Sequence, residues 1–170
     1  MSRMLNSLAL ALGLAITVPT LGTAQQTRDL PIHLDADTAD IDGTRGVGVY
    51  TGNVVLTQGN REITGDRMTV HTRDGRELDY VVVEGTPATW EQPPESGGDI
   101  IRGEAPRMEY HARNPTRVKL LQGGRITQGR NTFTGETIEY NLETENVIAQ
   151  GRDSSERVRI TLFPEDENSQ

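Results

Sequence analysis

The sequence predicts an all-β fold of antiparallel strands, on three observations. Apolar residues alternate with polar ones in short runs, turn-forming residues punctuate those runs about every ten residues, and one segment recurs further along the chain at a constant offset. Period-two alternation with one apolar face is the pattern of a half-buried antiparallel strand, because successive side chains point to opposite faces of a sheet. Regular spacing of such strands points to a sandwich, barrel or roll. Beyond the first two dozen residues no segment carries a helical period.

The elements follow in order. Pro31-Ile-His-Leu-Asp-Ala-Asp puts Ile32, Leu34 and Ala36 on one face and His33, Asp35 and Asp37 on the other. The same pairing recurs at Val54/Leu56, Met68/Val70, Val81/Val83, Met108/Tyr110, Val118/Leu120, Ile138/Tyr140 and Val158/Ile160/Leu162. Between them lie Asp42-Gly43, Gly59-Asn60, Asp74-Gly75, Gly97-Gly98 and Gly123-Gly124, read as turns because these residues tolerate positive φ. Glu91 to Asp99 reads as a polar loop too short to link domains.

Leu56-Thr-Gln-Gly-Asn-Arg-Glu-Ile-Thr-Gly-Asp-Arg-Met-Thr-Val aligns with Ile126-Thr-Gln-Gly-Arg-Asn-Thr-Phe-Thr-Gly-Glu-Thr-Ile-Glu-Tyr, 70 residues on. Each copy reads as strand, turn, strand, turn, strand. Such a unit leaves its apolar face bare unless the next unit stacks on it, which predicts a row of hairpins over a continuous apolar interior.

The chain opens with an export pattern. Met1 to Ser7 carries one charge, Arg3; Leu8 to Leu21 is almost wholly apolar; Gly22-Thr23-Ala24 offers small residues for cleavage. Residues 1–24 are therefore expected to be a cleaved signal peptide, the alternative being an uncleaved anchor. Residues 25–163 then form a single domain, and 164–170 a disordered acidic tail with nothing apolar to offset ordering entropy. An exported chain of this kind is expected in the periplasm. Cleavage removes Arg3 and no acid, taking the net charge from −8 to −9. That charge argues against nucleic acid as a partner. With no cysteine, disulfides and thiolate metal sites are excluded.

Readings as an enzyme find little support. His33, His71 and His111 lack metal-pair spacing and read as outward residues on strands. No nucleophile elbow, phosphate loop or dinucleotide fingerprint is present. Asp35 to Gly43 fails as a helix-flanked calcium loop: with Gly43 at position six, Thr38 falls at position one and Val49 where the bidentate glutamate belongs. Paired carboxylates for glycoside hydrolysis stay open in sequence terms, although acids such as Asp66 and Glu136 read as turn residues after Gly65 and Gly135. Arg113, Arg117 and Lys119 form a local basic group, read as a solvated strand face. The expectation is a binding scaffold without cofactor or metal, not an enzyme.

The ordered series Pro31-Ile-His-Leu-Asp-Ala-Asp, Tyr50-Thr-Gly-Asn-Val-Val-Leu-Thr-Gln-Gly and Ile63-Thr-Gly-Asp-Arg-Met-Thr-Val resembles the opening of the LptA/OstA-like family of lipopolysaccharide-transport proteins. Gly85-Thr-Pro-Ala-Thr-Trp, Gly103-Glu-Ala-Pro-Arg-Met-Glu-Tyr and Thr134-Gly-Glu-Thr-Ile-Glu-Tyr continue it in order, so the resemblance covers nearly all of Leu30 to Leu162. It implies a twisted β-jellyroll, open at both ends, whose slot carries the lipid A acyl chains of lipopolysaccharide. It also implies head-to-tail stacking of copies through edge strands, bridging an inner-membrane LptC-like protein to an outer-membrane LptD-like translocon. The Pro- and Gly-rich Glu91–Asp99 segment and the short acidic tail depart from the family pattern.

Alternation and position in that pattern give the expected slot lining: Ile32, Leu34, Val54, Leu56, Met68, Val70, Val81, Val83, Trp90, Met108, Tyr110, Ile126, Phe133, Ile138 and Tyr140. The expected partner edges are Ile32, Leu34 and Ala36 at one end and Val158, Ile160 and Leu162 at the other. The alternative is an adaptor of the same fold that pairs its edges with other envelope proteins and carries no lipid.

Overall fold

The computed structural model describes residues 30–164 apart from 76, 95–97, 114 and 154. The expected signal peptide, the residues just after it and nearly all of the acidic tail lie outside the described residues. Among the described residues ten strands form one antiparallel sheet: β1 (Ile32–Asp35), β2 (Thr38–Asp42), β3 (Val47–Gln58), β4 (Arg61–Arg73), β5 (Glu77–Gln92), β6 (Ile101–His111), β7 (Arg117–Gln128), β8 (Asn131–Asn141), β9 (Val147–Gln150) and β10 (Arg159–Thr161). The path runs β1-β3-β4-β5-β6-β7-β8-β10, with β2 also on β3 and β9 also on β8. Among the described residues no helix is long and apolar enough to cross a membrane.

The short runs of alternation are halves of longer strands. β3 to β8 are 11 to 16 residues each, and each interior ladder shifts register near its middle. The shifts fall at Thr51/Val54, Thr64/Arg67, Glu84/Ala88, Glu104/Arg107 and Leu121/Gly124, so they line up as a crease across the sheet. Bulges bend a strand and raise its twist, and they host prolines, which cannot donate to a ladder; Pro87 and Pro106 both sit there.

Two expectations change here. Gly123-Gly124 is not a turn: it lies inside β7, where Gln122 and Gly123 take positive φ of 67° and 91° to form the bulge. Thr-Gly-Asp and Thr-Gly-Glu are not turns either, since Gly65-Asp66 lies within β4 and Gly135-Glu136 within β8. Each repeat copy is thus one hairpin whose second strand crosses the crease. Gly59-Asn60 and Asp74-Gly75 do connect strands, and Glu91 and Gln92 belong to the end of β5.

Small residues follow the inner side of the crease. Val54 opposes Gly65, Ala88 opposes Ala105, and Gly124 opposes Gly135. A Cβ on Gly65 would lie 2.5 Å from Val83 Cγ1, and one on Gly124 would lie 2.6 Å from Leu120 Cβ. These glycines are needed for lack of bulk, not for positive φ. With nothing bulky inside the bend, the sheet folds its two leaves face to face. Trp90 and Tyr140, three strands apart in the sheet order and on opposite leaves, bring their rings to 5.5 Å. Adjacent strands lie about 4.8 Å apart, so three steps across a flat sheet would separate them by about 14 Å.

Candidate functional site

The interior between the leaves is the site the sequence pointed to, and it is built from register rows. One row runs Leu34, Leu56, Ile63, Trp90, Gly103, Ile126, Phe133, Ile160 across eight strands. On the other leaf a row runs Met68, Val83, Met108, Leu120, Ile138, and the next runs Val70, Val81, Tyr110, Val118, Tyr140. Every side chain in these rows faces inward by the period of two.

Of the expected lining, Val54, Leu56, Met68, Val81, Val83, Trp90, Met108, Tyr110, Ile126, Ile138 and Tyr140 are buried in one cluster, and Leu34, Val70 and Phe133 pack against it. Ile32 differs. It shares the inner face with Leu34 but stays 39% exposed, because β1 is an edge strand and its register partner is Gln58, in the last row before the ends of the hairpins. Ile63, Ala88, Ala105, Val118 and Leu120 belong to the same interior. Alternation flagged the last two, and Ile63 sits in the repeat; the alanines give no signal of their own.

Gln58, Arg61 and Gln92 form a polar row at the open lip, opposite the crease, linked through the pairs Gln58–Arg61 and Arg61–Gln92. Arg61 is 5% exposed. Its Nε donates to Gln92 Oε1 at 3.1 Å, its Nη1 donates to Tyr110 Oη, and its guanidinium lies 5.1 Å from the Tyr110 ring centroid. Since Arg61 and Tyr110 belong to different leaves, this contact joins the two lips. A charged residue beside a turn reads as solvated in sequence, so nothing there signals the position. Tyr140, deeper inside, has its phenol pushed up to about 12, by burial first and by the charge of Glu145 second.

Trp90 is 0% exposed, and its Nε1 meets no hydrogen-bond acceptor among the described residues. Its ring lies over Gly103, where a Cβ would come 3.1 Å from Trp90 Cε3, and tilts against Tyr140. A buried donor without an acceptor costs about 1–3 kcal/mol.

The outer face carries cross-strand ion pairs. Arg102–Glu91 at 2.8 Å, Arg107–Glu84 at 2.9 Å and Lys119–Glu139 at 3.3 Å are cross-strand pairs. The basic group singled out in sequence is absorbed in the same way: Arg113 pairs with Glu77, and Arg117 and Lys119 share Glu139. His71 stacks on Tyr80 at 4.0 Å and Tyr80 on His111 at 5.9 Å, while His33 is exposed on β1. Among the described residues no three His, Cys, Asp or Glu side chains gather as metal ligands. Asp42, from the acidic run, caps its turn: it accepts from the Arg45 and Thr44 backbone N–H groups, each at 2.9 Å, and from Arg45 Nε. The Arg45 hydrogen bonds, backbone first, hold its carboxyl below the usual range.

The expected edges are present and wider than foreseen. β1 and β2 border the sheet on one side, β9 and β10 on the other. Ile160 is exposed as expected, and Leu162 is exposed just beyond β10. Ala36 falls just past β1, and Val158 just before β10. Ile41 on β2 and Ile148 on β9 are also exposed and were not foreseen.

Residues 33–146 match the family described as LptA/(LptD N-terminal domain) LPS transport protein. The chain is 32% identical over 161 residues to lipopolysaccharide export system protein LptH of Pseudomonas aeruginosa, covering 92% of this chain and 89% of that one. It is 32% identical over 153 residues to lipopolysaccharide export system protein LptA of Escherichia coli K12, covering 89% and 80%. These relatives are named for export, not for catalysis. The crystal structure of LptH, described as a periplasmic component of the lipopolysaccharide transport device, superposes with a TM-score of 0.74 at 31% identity, over 81% of this chain and 99% of that one. Family match, sequence identity and fold thus agree, and the chain belongs to the LptA/LptD N-terminal domain family of lipopolysaccharide transport proteins.

Proposed function

We propose that this chain is exported to the periplasm and carries lipopolysaccharide from the inner membrane to an outer-membrane translocon, with the lipid A acyl chains held between the two leaves. The observation that carries this reading is the apolar row from Leu34 to Ile160, which crosses eight strands and reaches both edges of the sheet. A bound chain replaces leaf-to-leaf contacts with its own methylenes, each contributing about 0.8 kcal/mol on leaving water. Several chains outweigh the repulsion between an anionic lipid and an acidic protein. The exposed edges support head-to-tail pairing of copies and pairing with LptC-like and LptD-like partners, since unpaired N–H and C=O groups recruit a further strand. The two edges differ in sequence, so the contact is heterologous, one edge of a copy meeting the other edge of the next.

A photo-crosslinker at Ile126, on the inner face, tests the lipid path against one at Glu104, on the outer face of the neighbouring strand. Lipopolysaccharide adducts at Ile126 and none at Glu104 are expected. A folded Ile126 variant that never captures lipid would leave the interior as core alone, and the protein as an adaptor that works through its edges.

A further inference from the structure

Trp90 is the one tryptophan of the chain. The contacts described for its ring are with carbon and with another ring, and none uses the indole N–H. The ring is bordered by Gly103 and by the ring of Tyr140, both of which meet carbon as well as they meet nitrogen. The indole N–H nevertheless lies fully buried with no acceptor among the described residues. A buried indole N–H ordinarily finds a partner, so an unsatisfied one inside a binding interior marks where an acceptor arrives.

The position along the strand says what that acceptor is. Trp90 lies two residues inward of Gln92, about 7 Å along β5. The polar row of Gln58, Arg61 and Gln92 is therefore one step nearer the lip, and the row of Val54, Ala88 and Ala105 at the crease lies one step deeper. An acyl-bearing lipid has the same order of chemistry: a polar head, then the carbonyl that attaches each chain, then methylenes. We propose that the Trp90 indole N–H donates to the carbonyl of an ester- or amide-linked acyl chain and so fixes the depth at which the lipid sits. This rests on the reading that the interior carries acyl chains. Trp90 is then a specificity-determining residue: chains joined through a carbonyl gain a hydrogen bond that ether-linked chains of equal length do not.

Because the chain holds a single tryptophan, biosynthetic replacement with 3-benzothienylalanine changes only this site and keeps the ring shape without the N–H. The exported chain carrying the analogue, and a Trp90→Phe variant beside it, should bind purified lipopolysaccharide about five- to tenfold more weakly than the native chain. The unfolding midpoint of the analogue-bearing chain should be equal or higher, since no donor is stranded, while Trp90→Phe also loses buried ring volume and should melt lower than the analogue. In a chain labelled with nitrogen-15 at tryptophan, the lone indole resonance should move downfield with a dodecanoyl diester phospholipid and stay in place with the diether of the same head group. Undiminished affinity without the N–H, or equal movement with both lipids, overturns the donor role while lipid carriage stands. If even the native chain binds no lipopolysaccharide, the carriage reading fails and the donor role falls with it.

Discussion

Gly65 offers the sharpest test of the crease. It lies in β4 at the register shift, with ordinary φ, so alanine there meets no backbone strain of its own. The added methyl would sit 2.5 Å from Val83 Cγ1 and 2.8 Å from the Glu84 carbonyl oxygen. Neither neighbour yields easily, because Val83 is wholly buried and the carbonyl belongs to the backbone of β5. Overpacking of this kind costs about 1–3 kcal/mol. For a domain of this size that lowers the melting temperature by about 4–12 °C. Two companions set the scale. Gly135, the same position in the second repeat copy, puts a Cβ 3.0 Å from the Gln150 carbonyl of β9, a four-residue edge strand free to shift, so alanine there should cost under about 1 kcal/mol. Gly43 has nothing within 4 Å and no positive φ, so alanine there should stabilise by about 0.4–1 kcal/mol. Differential scanning calorimetry of the three variants gives the order directly. A Gly65→Ala protein that melts at or above the native chain would show that the leaves do not meet tightly at the bend.

Three further outcomes follow from other parts of the molecule. The Tyr140 phenol is raised from 10.0 to about 12 in the fold, so its contribution is complete below pH 10 and is lost as pH rises towards 12; at pH 11 the loss is on the order of 1 kcal/mol, read as the difference in urea unfolding between the native chain and Tyr140→Phe, and no growth of that difference from pH 9 to 11 would count against it. Arg61→Gln strips the donor shared by Gln92 and Tyr110 at the buried lip and should cost about 1–3 kcal/mol, whereas Arg102→Gln, which breaks an exposed pair with Glu91, should cost under about 1 kcal/mol; equal costs in urea titrations would refute the distinction. Ile160→Asp on exposed β10 should weaken self-association in sedimentation velocity while moving stability by less than about 0.5 kcal/mol, and unchanged association would remove that edge from the contact.

What the sequence revealed was set by short-range periodicity. The inward faces of β3 to β8 were legible because Val54/Leu56 or Met108/Tyr110 carry the period of two within a few residues. The crease was not. A glycine signals either a backbone that needs positive φ or a neighbour that leaves no room for a side chain, and the two look alike in a chain of letters. Gly59 is the first kind, at a turn with φ of 62°. Gly65 is the second, and its crowding neighbour Val83 is 18 residues away. Ile32 misled for a related reason: alternation fixes which face a residue takes but not whether anything covers that face. Arg61 is buried only because the opposite leaf brings Tyr110 over it, a contact across 49 residues.

The crease also limits what can be added to the sheet. On β3, β1 holds residues 55–58 and β2 holds 47–51; on β8, β10 holds 132–134 and β9 holds 137–140. Each border is therefore two stubs of three to five residues on either side of a bend, not one long straight edge. A strand arriving from outside can follow either stub for about four ladder bonds before the direction changes. At ~1 kcal/mol net for each bond, such a joint is weak enough to come apart and reform. Runaway fibre growth, which needs long flat borders, is disfavoured by the same geometry. The bend that encloses the interior thus also keeps both borders of the sheet short.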